Sequence, residues 1–137
     1  MITVAGLVKD LQSNNKATRM NAIRSLGQIG AGARIAVPHL VWLLDDPGKE
    51  VASLSLRALA FVGPSTSLKP KIVQRLRDPH PEVRRMAAFA IGSMGAPGRD
   101  VIPILASLLK DEDLAVQMHA LLAIWKLSEE AGPRALL

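Results

Sequence analysis

The apolar residues of this chain recur with the period of a helix. A clear example is the series Val83, Ala87, Ala90, Ile91 and Met94. Its members are one to four residues apart, as on one face of an amphipathic helix. Segments of this kind alternate with turns rich in Pro, Gly and Asp, and no stretch alternates apolar and polar residues as a half-buried strand would. The pattern therefore predicts an all-α fold.

The same pattern returns every 32 or 33 residues. Three landmarks keep this register: an acidic turn, a proline and a glycine. They are Asp46, Asp78 and Asp111 in the turns, Pro38, Pro70 and Pro103 early in one set of helices, and Gly30, Gly63 and Gly95 after the other set. A register kept at three landmarks indicates internal repeats. The repeats cover approximately residues 7–30, 36–63, 68–95 and 101–128.

Each repeat predicts two helices joined by a turn. The first helix carries its proline in the first turn, where the missing N–H has no helical partner anyway. The second helix begins near Glu50, Glu82 or Ala115 and ends where glycine allows a left-handed turn. One such hairpin cannot bury its apolar face alone, so neighbouring hairpins have to stack. We therefore expect a single domain over residues 1–137, built from about four helical hairpins.

The third repeat, Asp78–Gly95, resembles the HEAT repeat and, more closely, the short HEAT-like repeat of the phycobilin lyases. The resemblance extends over residues 7–128. It implies a right-handed α-α superhelix, a HEAT-like solenoid whose second helices line the concave side. It also implies a ladder of Asp and Arg, six residues apart, between repeats. Only Asp78 and Arg84 provide both residues, so we expect an incomplete ladder with a small energetic contribution.

The second helices carry no carboxylate at the positions that point away from the core, although the chain has 12 Asp and Glu. We therefore expect a basic, partly apolar concave face that binds an acidic and apolar segment of a protein partner. Arginine would contact carboxylates, and Phe and Met would supply adaptable apolar contact. The candidate partner-binding residues are Arg24, Arg57, Phe61, Arg85, Phe89, Met118, Leu122, Trp125 and Lys126. The alternative is that these side chains simply face water.

The two tryptophans occupy the last repeat and the expected convex side of the solenoid. Trp125 stands where the first and third repeats have Gly27 and Gly92. It either packs on the segment 131–137 or leaves an uncovered apolar edge, because a terminal repeat needs a polar cap. An uncovered edge would mean that the natural protein continues or that this end associates with another copy. Trp42 is expected to face outward on the convex side, partly buried against a neighbouring turn.

The net charge of the chain is consistent with a second function. The formal net charge is +5 and the pI is about 10.1, which favours acidic partners, nucleic acid among them. The basic residues of the third repeat that could serve this purpose are Lys69, Lys71, Arg75, Arg77, Arg84 and Arg85. A basic cluster more often only solvates a helix face. A bilin-lyase-like activity is a third alternative, which the resemblance alone implies.

The sequence offers no constellation for catalysis. The chain has no Cys, which excludes disulfides and thiolate chemistry. The three histidines, His39, His80 and His119, have no ligand spacing, and no glycine pattern of a phosphate-binding loop is present. We therefore expect a non-enzymatic scaffold with no catalytic residue, metal or cofactor. Because no apolar run could span a membrane and the N-terminus does not resemble a signal peptide, we expect a cytoplasmic protein.

Overall fold

All regular structure in the computed structural model is helical over the residues it describes, which are 2–63 and 66–130 without the side chains of residues 66 and 130. No strand occurs in these ranges, so the all-α prediction is confirmed. The chain divides into two compact units, Met1–Pro64 and Ser65–Leu137. Each unit holds two of the predicted hairpins. The single domain and its repeat boundaries stay a prediction.

Unit 1 contains four α-helices: α1 (Val4–Asp10), α2 (Lys16–Ile29), α3 (Val37–Trp42) and α4 (Lys49–Val62). Short 3₁₀ segments occupy Gly30–Ala36 and Leu43–Asp45. Helix α1 packs on α2 and α3 packs on α4, which forms the two hairpins, and the second helices α2 and α4 pack on each other. The core side chains of these helices include Ile23, Leu26, Leu40, Val51 and Leu59, all with no exposed surface.

Unit 2 repeats this arrangement with α5 (Lys69–Arg75), α6 (Pro81–Gly92), α7 (Ile102–Ser107) and α8 (Leu114–Glu130). Its 3₁₀ segments are Thr66–Leu68, Ala96–Val101 and Leu108–Lys110. Helix α5 packs on α6, α7 on α8, and the second helices α6 and α8 on each other. The fully buried side chains include Ile72, Leu76, Ile91, Leu105 and Leu127. In both units, therefore, the second helices form the contact between successive repeats.

The prolines and glycines that mark the repeats lie largely where the sequence predicts them. Pro38, Pro70 and Pro103 each lie in the first turn of a first helix. Gly30, Gly63 and Gly95 have φ values of 72°, 108° and 70°, which disfavour any side chain. Their ψ values of −137°, 93° and −144° lie outside the left-handed helical region, so that detail of the prediction is wrong. The glycines reverse the chain in conformations that the Cβ of other residues would obstruct.

Glycine also sets the distance between second helices. A Cβ added to Gly27 would lie 3.3 Å from the Cα of Ala58, and one added to Gly92 would lie 3.0 Å from the Cα of Ala123. Gly27 and Gly92 occupy the same place in the first and third repeats. In each unit the backbones of two second helices therefore approach so closely that a side chain at this place would have to displace one of them.

Unit 2 contains a buried link between its repeats. The Nε and Nη2 atoms of Arg84 donate to the two carboxylate oxygens of Asp111, at 2.9 and 3.0 Å. The Nη1 atom of Arg84 donates to the carbonyl oxygens of Asp78 and Pro79, at 2.8 and 3.1 Å. The residue six positions before the arginine thus contributes its backbone, and the carboxylate comes from the following repeat.

Unit 1 contains the weaker equivalent. Arg19 donates from Nη1 to the carbonyl oxygen of Ser13 at 2.8 Å, and its Nη2 lies 4.0 Å from a carboxylate oxygen of Asp46. A serine can replace the aspartate six positions before the arginine because only its carbonyl is used. Among the described residues, each unit therefore contains an arginine–aspartate link between its repeats. For the pair of Arg84 and Asp111 we now expect a substantial contribution to stability.

Ser55 provides a first prediction, because it is a polar residue in the middle of the core. It lies on α4 with no exposed surface, and its hydroxyl has no hydrogen-bond partner among the described residues. Since a buried hydroxyl without a partner destabilises the folded state, Ser55→Ala should raise the free energy of unfolding by about 1 kcal/mol. Urea denaturation would measure this change.

The matched control lies on the same helix. Ser53 is partly exposed, and its hydroxyl donates to the carbonyl oxygen of Glu50 at 3.1 Å. Ser53→Ala should therefore leave stability nearly unchanged or lower it slightly. A loss of stability in Ser55→Ala would show that the buried hydroxyl is satisfied in solution.

Candidate functional site

A cleft of about 330 Å³ lies between α2 and α4 of unit 1. Its lining combines an apolar floor with cationic and aromatic side chains. The lining residues are Ile23, Arg24, Gly27, Gln28, Leu54, Arg57, Ala58 and Phe61. The floor is low because Gly27 has no side chain and faces the small side chain of Ala58. The close approach of the two helices thus creates the cleft.

The repeat period determines which side chains border this cleft. Arg24 and Arg57 occupy equivalent positions in successive repeats, as do Gln28 and Phe61. Because α2 and α4 pack on each other, equivalent residues become neighbours across the two helices. The cleft therefore carries two arginines side by side with an aromatic ring one helical turn further on.

The two arginines are held by different contacts. The Nη1 atom of Arg24 donates to the side-chain oxygen of Asn21 at 3.3 Å. The guanidinium carbon of Arg57 lies 5.6 Å from the centre of the Phe61 ring, within the range of a cation–π interaction. Both arginines are exposed, and no carboxylate lines the cleft. The cleft is therefore positively charged beside an apolar surface.

The sequence prediction found part of this site. Arg24, Arg57 and Phe61 were expected to bind a partner, and the structure brings these three residues to one cleft. Gly27 and Ala58 were not recognised as its floor. Their signal in the sequence is their small size, three residues after Arg24 and one residue after Arg57, but that pattern also fits a simple helix contact.

The other predicted residues lie in unit 2. Arg85 and Phe89 on α6 are half-buried, and the Phe89 ring meets the His119 ring edge to face with centres 6.5 Å apart. Met118, Leu122 and Lys126 are exposed on α8. All these side chains reach the surface, as expected for outward positions. Their role in binding stays a prediction.

The two tryptophans are both exposed. Trp125 has 59% of its surface exposed and lies on the side of α8 that corresponds to Gly27 and Gly92. Its predicted packing on the segment 131–137 lies outside the described residues. Trp42 is 78% exposed, so the prediction that it faces outward is confirmed, whereas the expected partial burial against a neighbouring turn is wrong.

Some basic residues of the third repeat form ion pairs and hydrogen bonds within unit 2. The Nζ atom of Lys69 lies 2.8 Å from a carboxylate oxygen of Asp100 and donates to the carbonyl oxygen of Pro97 at 2.9 Å. Arg84 is held by Asp111 and is 9% exposed. Lys69 and Arg84, which were expected to contact nucleic acid, therefore have partners in the protein.

Both members of the link in unit 2 have perturbed pKa values. Burial of the Asp111 carboxyl opposes its ionisation, but hydrogen bonds from Arg84 and from the N–H of Asp113 outweigh this effect and lower its pKa. The hydrogen bond to Asp111 raises the pKa of Arg84. Both groups are therefore charged at neutral pH. They lie in unit 2, whereas the cleft is part of unit 1.

Residues 2–63 and 66–130 contain neither a cluster of metal ligands nor a helix that could cross a membrane. No group of three or more histidine and acidic side chains in these ranges could hold a metal ion. None of the helices there combines the length and the apolar character that crossing a bilayer requires.

Repeated helical hairpins packed through their second helices define a helical-repeat protein. The sequence matches the profile of HEAT repeats over residues 69–137 and that of the PBS lyase HEAT-like repeat over residues 18–46. The chain belongs to the HEAT-repeat family. The resemblance found in the sequence is therefore confirmed.

Two solved structures are similar to this chain. One is an engineered protein whose crystal structure matches with a TM-score of 0.77 at 25% identity, over 99% of this chain and 66% of that chain. The other is the complex of CpcE and CpcF of phycocyanin lyase from Nostoc sp. PCC7120, with a TM-score of 0.68 at 20% identity. That match covers 98% of this chain and 68% of the other. The fold class is an all-α solenoid, as predicted.

Proposed function

We propose that this chain is a non-enzymatic interaction module that binds an acidic and apolar peptide segment in the cleft between α2 and α4. The observation that carries the proposal is the pairing of Arg24 and Arg57 beside an apolar floor that no carboxylate borders. A carboxylate of the partner would lie between the two guanidinium groups, which can each offer two N–H donors. An apolar side chain next to it would cover Gly27 and contact Phe61.

The lining of the cleft supports a binding role over a catalytic one. It contains no carboxylate, histidine, serine or lysine that could act as an acid, base or nucleophile. The volume of about 330 Å³ is at the lower end of small-ligand sites and suits one or two side chains of a peptide. Membership of a family of helical repeats is consistent with an interaction module. We also retain the cytoplasmic location as a proposal.

A peptide display library provides the test, because it assumes no particular partner. We expect enrichment of peptides that carry Asp or Glu next to a large apolar residue. Arg24→Gln and Arg57→Gln should each weaken binding of such a peptide at least tenfold, measured by fluorescence anisotropy. Arg34→Gln is the matched control, since it removes the same charge from an exposed position of unit 1 outside the cleft. Equal losses in all three variants would contradict the proposal.

Nucleic-acid binding is the alternative that the net charge favours. The basic residues of the third repeat were expected to support it, but Lys69 and Arg84 form ion pairs within the protein, which argues against this role. A titration with short duplex DNA and single-stranded RNA at 0.05 and 0.2 M salt would decide between the two functions. Binding that falls steeply with salt but persists at the higher concentration would favour nucleic acid. We expect no measurable binding at 0.2 M.

A lyase-related role rests on the family alone, because the similarity to the CpcE–CpcF structure at 20% identity concerns the fold. Incubation of the purified chain with a bilin, followed by absorbance spectroscopy, tests it. Under the proposed function the bilin spectrum should remain that of the free pigment.

A further inference from the structure

Helix α8 presents an apolar face that no described residue covers. Five large side chains on it are more than half exposed: Leu114, Met118, Leu121, Leu122 and Trp125. Their spacing of three or four residues, with Leu121 and Leu122 adjacent, places them on one side of the helix. No charged residue occurs between Leu114 and Trp125. A patch of about 500 Å² is at the upper end of the largest apolar patches that monomers expose.

The polar residues of this segment are directed into unit 2. The Nε2 atom of Gln117 donates to the carbonyl oxygen of Asp111 at 2.6 Å. The Nδ1 atom of His119 lies 2.9 Å from the carbonyl oxygen of Ala115, and its ring packs against Phe89. The outer face is thereby left apolar from Leu114 to Trp125, and the exposed charges of α8, Lys126 and Glu129, lie beyond it.

The corresponding positions in the first and third repeats are covered by the next second helix. Leu121 is equivalent to Ile23 and Ala88, which have no exposed surface. Helix α4 packs on that side of α2, and α8 packs on that side of α6, through the close approach at Gly27 and Gly92. On α8 the glycine is replaced by Trp125. An indole at this place prevents another helix from stacking at the same close distance.

The spacing of the side chains fits a second copy of the same helix. Met118, Leu121, Leu122 and Trp125 are separated by three, one and three residues, so their spacing is the same from either end of the helix. Two such helices that run antiparallel about a twofold axis would bring each Leu121 to the Leu122 of the other copy. Each Trp125 would face a Met118, and sulfur–aromatic contacts of this kind are favourable.

We propose that the chain forms a twofold-symmetric dimer through antiparallel contact of α8 with α8 of a second copy. Side chains of this size, half exposed, each contribute on the order of 100 Å², so the dimer would cover about 1,000 Å² in total. That area is at the lower limit for a specific interface and predicts a dissociation constant in the micromolar range. The proposal is independent of the cleft in unit 1.

Sedimentation velocity of the full chain from about 1 to 200 μM tests the association. We expect a monomer–dimer equilibrium that Leu121→Glu shifts at least tenfold toward monomer, because it places a charge at the twofold axis. Ile35→Glu is the control, since Ile35 is an equally exposed apolar residue in unit 1. A wild-type chain that stays monomeric at 200 μM, or an equal effect of both substitutions, would overturn the proposal.

The symmetry is tested with single cysteines, because the natural chain has none. In an antiparallel pair, Leu122 lies beside the twofold axis, so Leu122→Cys should form a covalent dimer under mild oxidation. Ser107→Cys, exposed on α7, should not. A ladder of oligomers larger than the dimer for the wild type, with no disulfide at residue 122, would show head-to-tail association instead.

Discussion

Asp111→Asn is expected to lower the free energy of unfolding by about 3 kcal/mol at neutral pH. The substitution keeps the shape of the side chain but leaves the guanidinium of Arg84, 9% exposed, without its counter-charge. The loss should lie at the lower end for a broken buried pair, because Arg84 still donates to the carbonyl oxygens of Asp78 and Pro79. Urea denaturation followed by circular dichroism measures it.

The same substitution predicts a pH dependence. The pKa of Asp111 is lower in the folded chain than the usual value of about 3.9. Its contribution to stability is therefore complete above about pH 5 and disappears as the pH falls through the folded pKa. The difference in stability between wild type and Asp111→Asn should be constant from pH 5 to 8 and shrink below about pH 4.

Glu50→Gln provides the control for the loss of stability at neutral pH. Glu50 pairs with Lys16 at 3.1 Å, but both side chains are about half exposed and solvent weakens the pair. Its removal should change stability far less than Asp111→Asn does. Similar losses in the two variants would mean that the link between Arg84 and Asp111 contributes no more than a surface pair.

Gly92→Val is expected to lower the free energy of unfolding by about 3 kcal/mol. A Cβ at this position would already lie 3.0 Å from both the Cα and the Cβ of Ala123, and the branched side chain needs more room still. Because the nearest atom belongs to the backbone of α8, relief requires that the two helices move apart. Thermal or urea denaturation would show the loss.

Two further variants separate this clash from other effects. Ala106→Val places the same side chain at an exposed helical position and should cost only about 0.5 kcal/mol. Ala123→Gly combined with Gly92→Val should restore part of the stability, since the opposing Cβ is then absent. A tolerated Gly92→Val would show that α6 and α8 do not approach this closely in solution.

The repeat pattern was sufficient to predict the helices, their proline starts and the outward positions of the second helices. It succeeded because each of these features depends on residues close in sequence, at a period that four repeats confirm. The pairing of Arg24 with Arg57 also followed from the period, since equivalent residues of stacked repeats are neighbours.

Features that depend on the distance between helices were beyond the sequence. The depth of the cleft results from the approach of α2 and α4 at Gly27 and Ala58, and a small residue alone does not specify such an approach. The link of Arg84 with Asp111 was not predicted because its partners are 27 residues apart and belong to successive repeats, whereas the motif places Asp and Arg within one repeat.

The direction of the arginine–aspartate links makes the order of the repeats in each unit matter. In unit 2 the guanidinium comes from the earlier repeat and the carboxylate from the later one, and the later repeat has Gln117 where the arginine would stand. An exchange of the two hairpins would therefore leave a buried carboxylate at one end and an unpaired cation at the other. Recombination that moves a whole unit of two hairpins preserves the link, whereas recombination that moves a single hairpin breaks it.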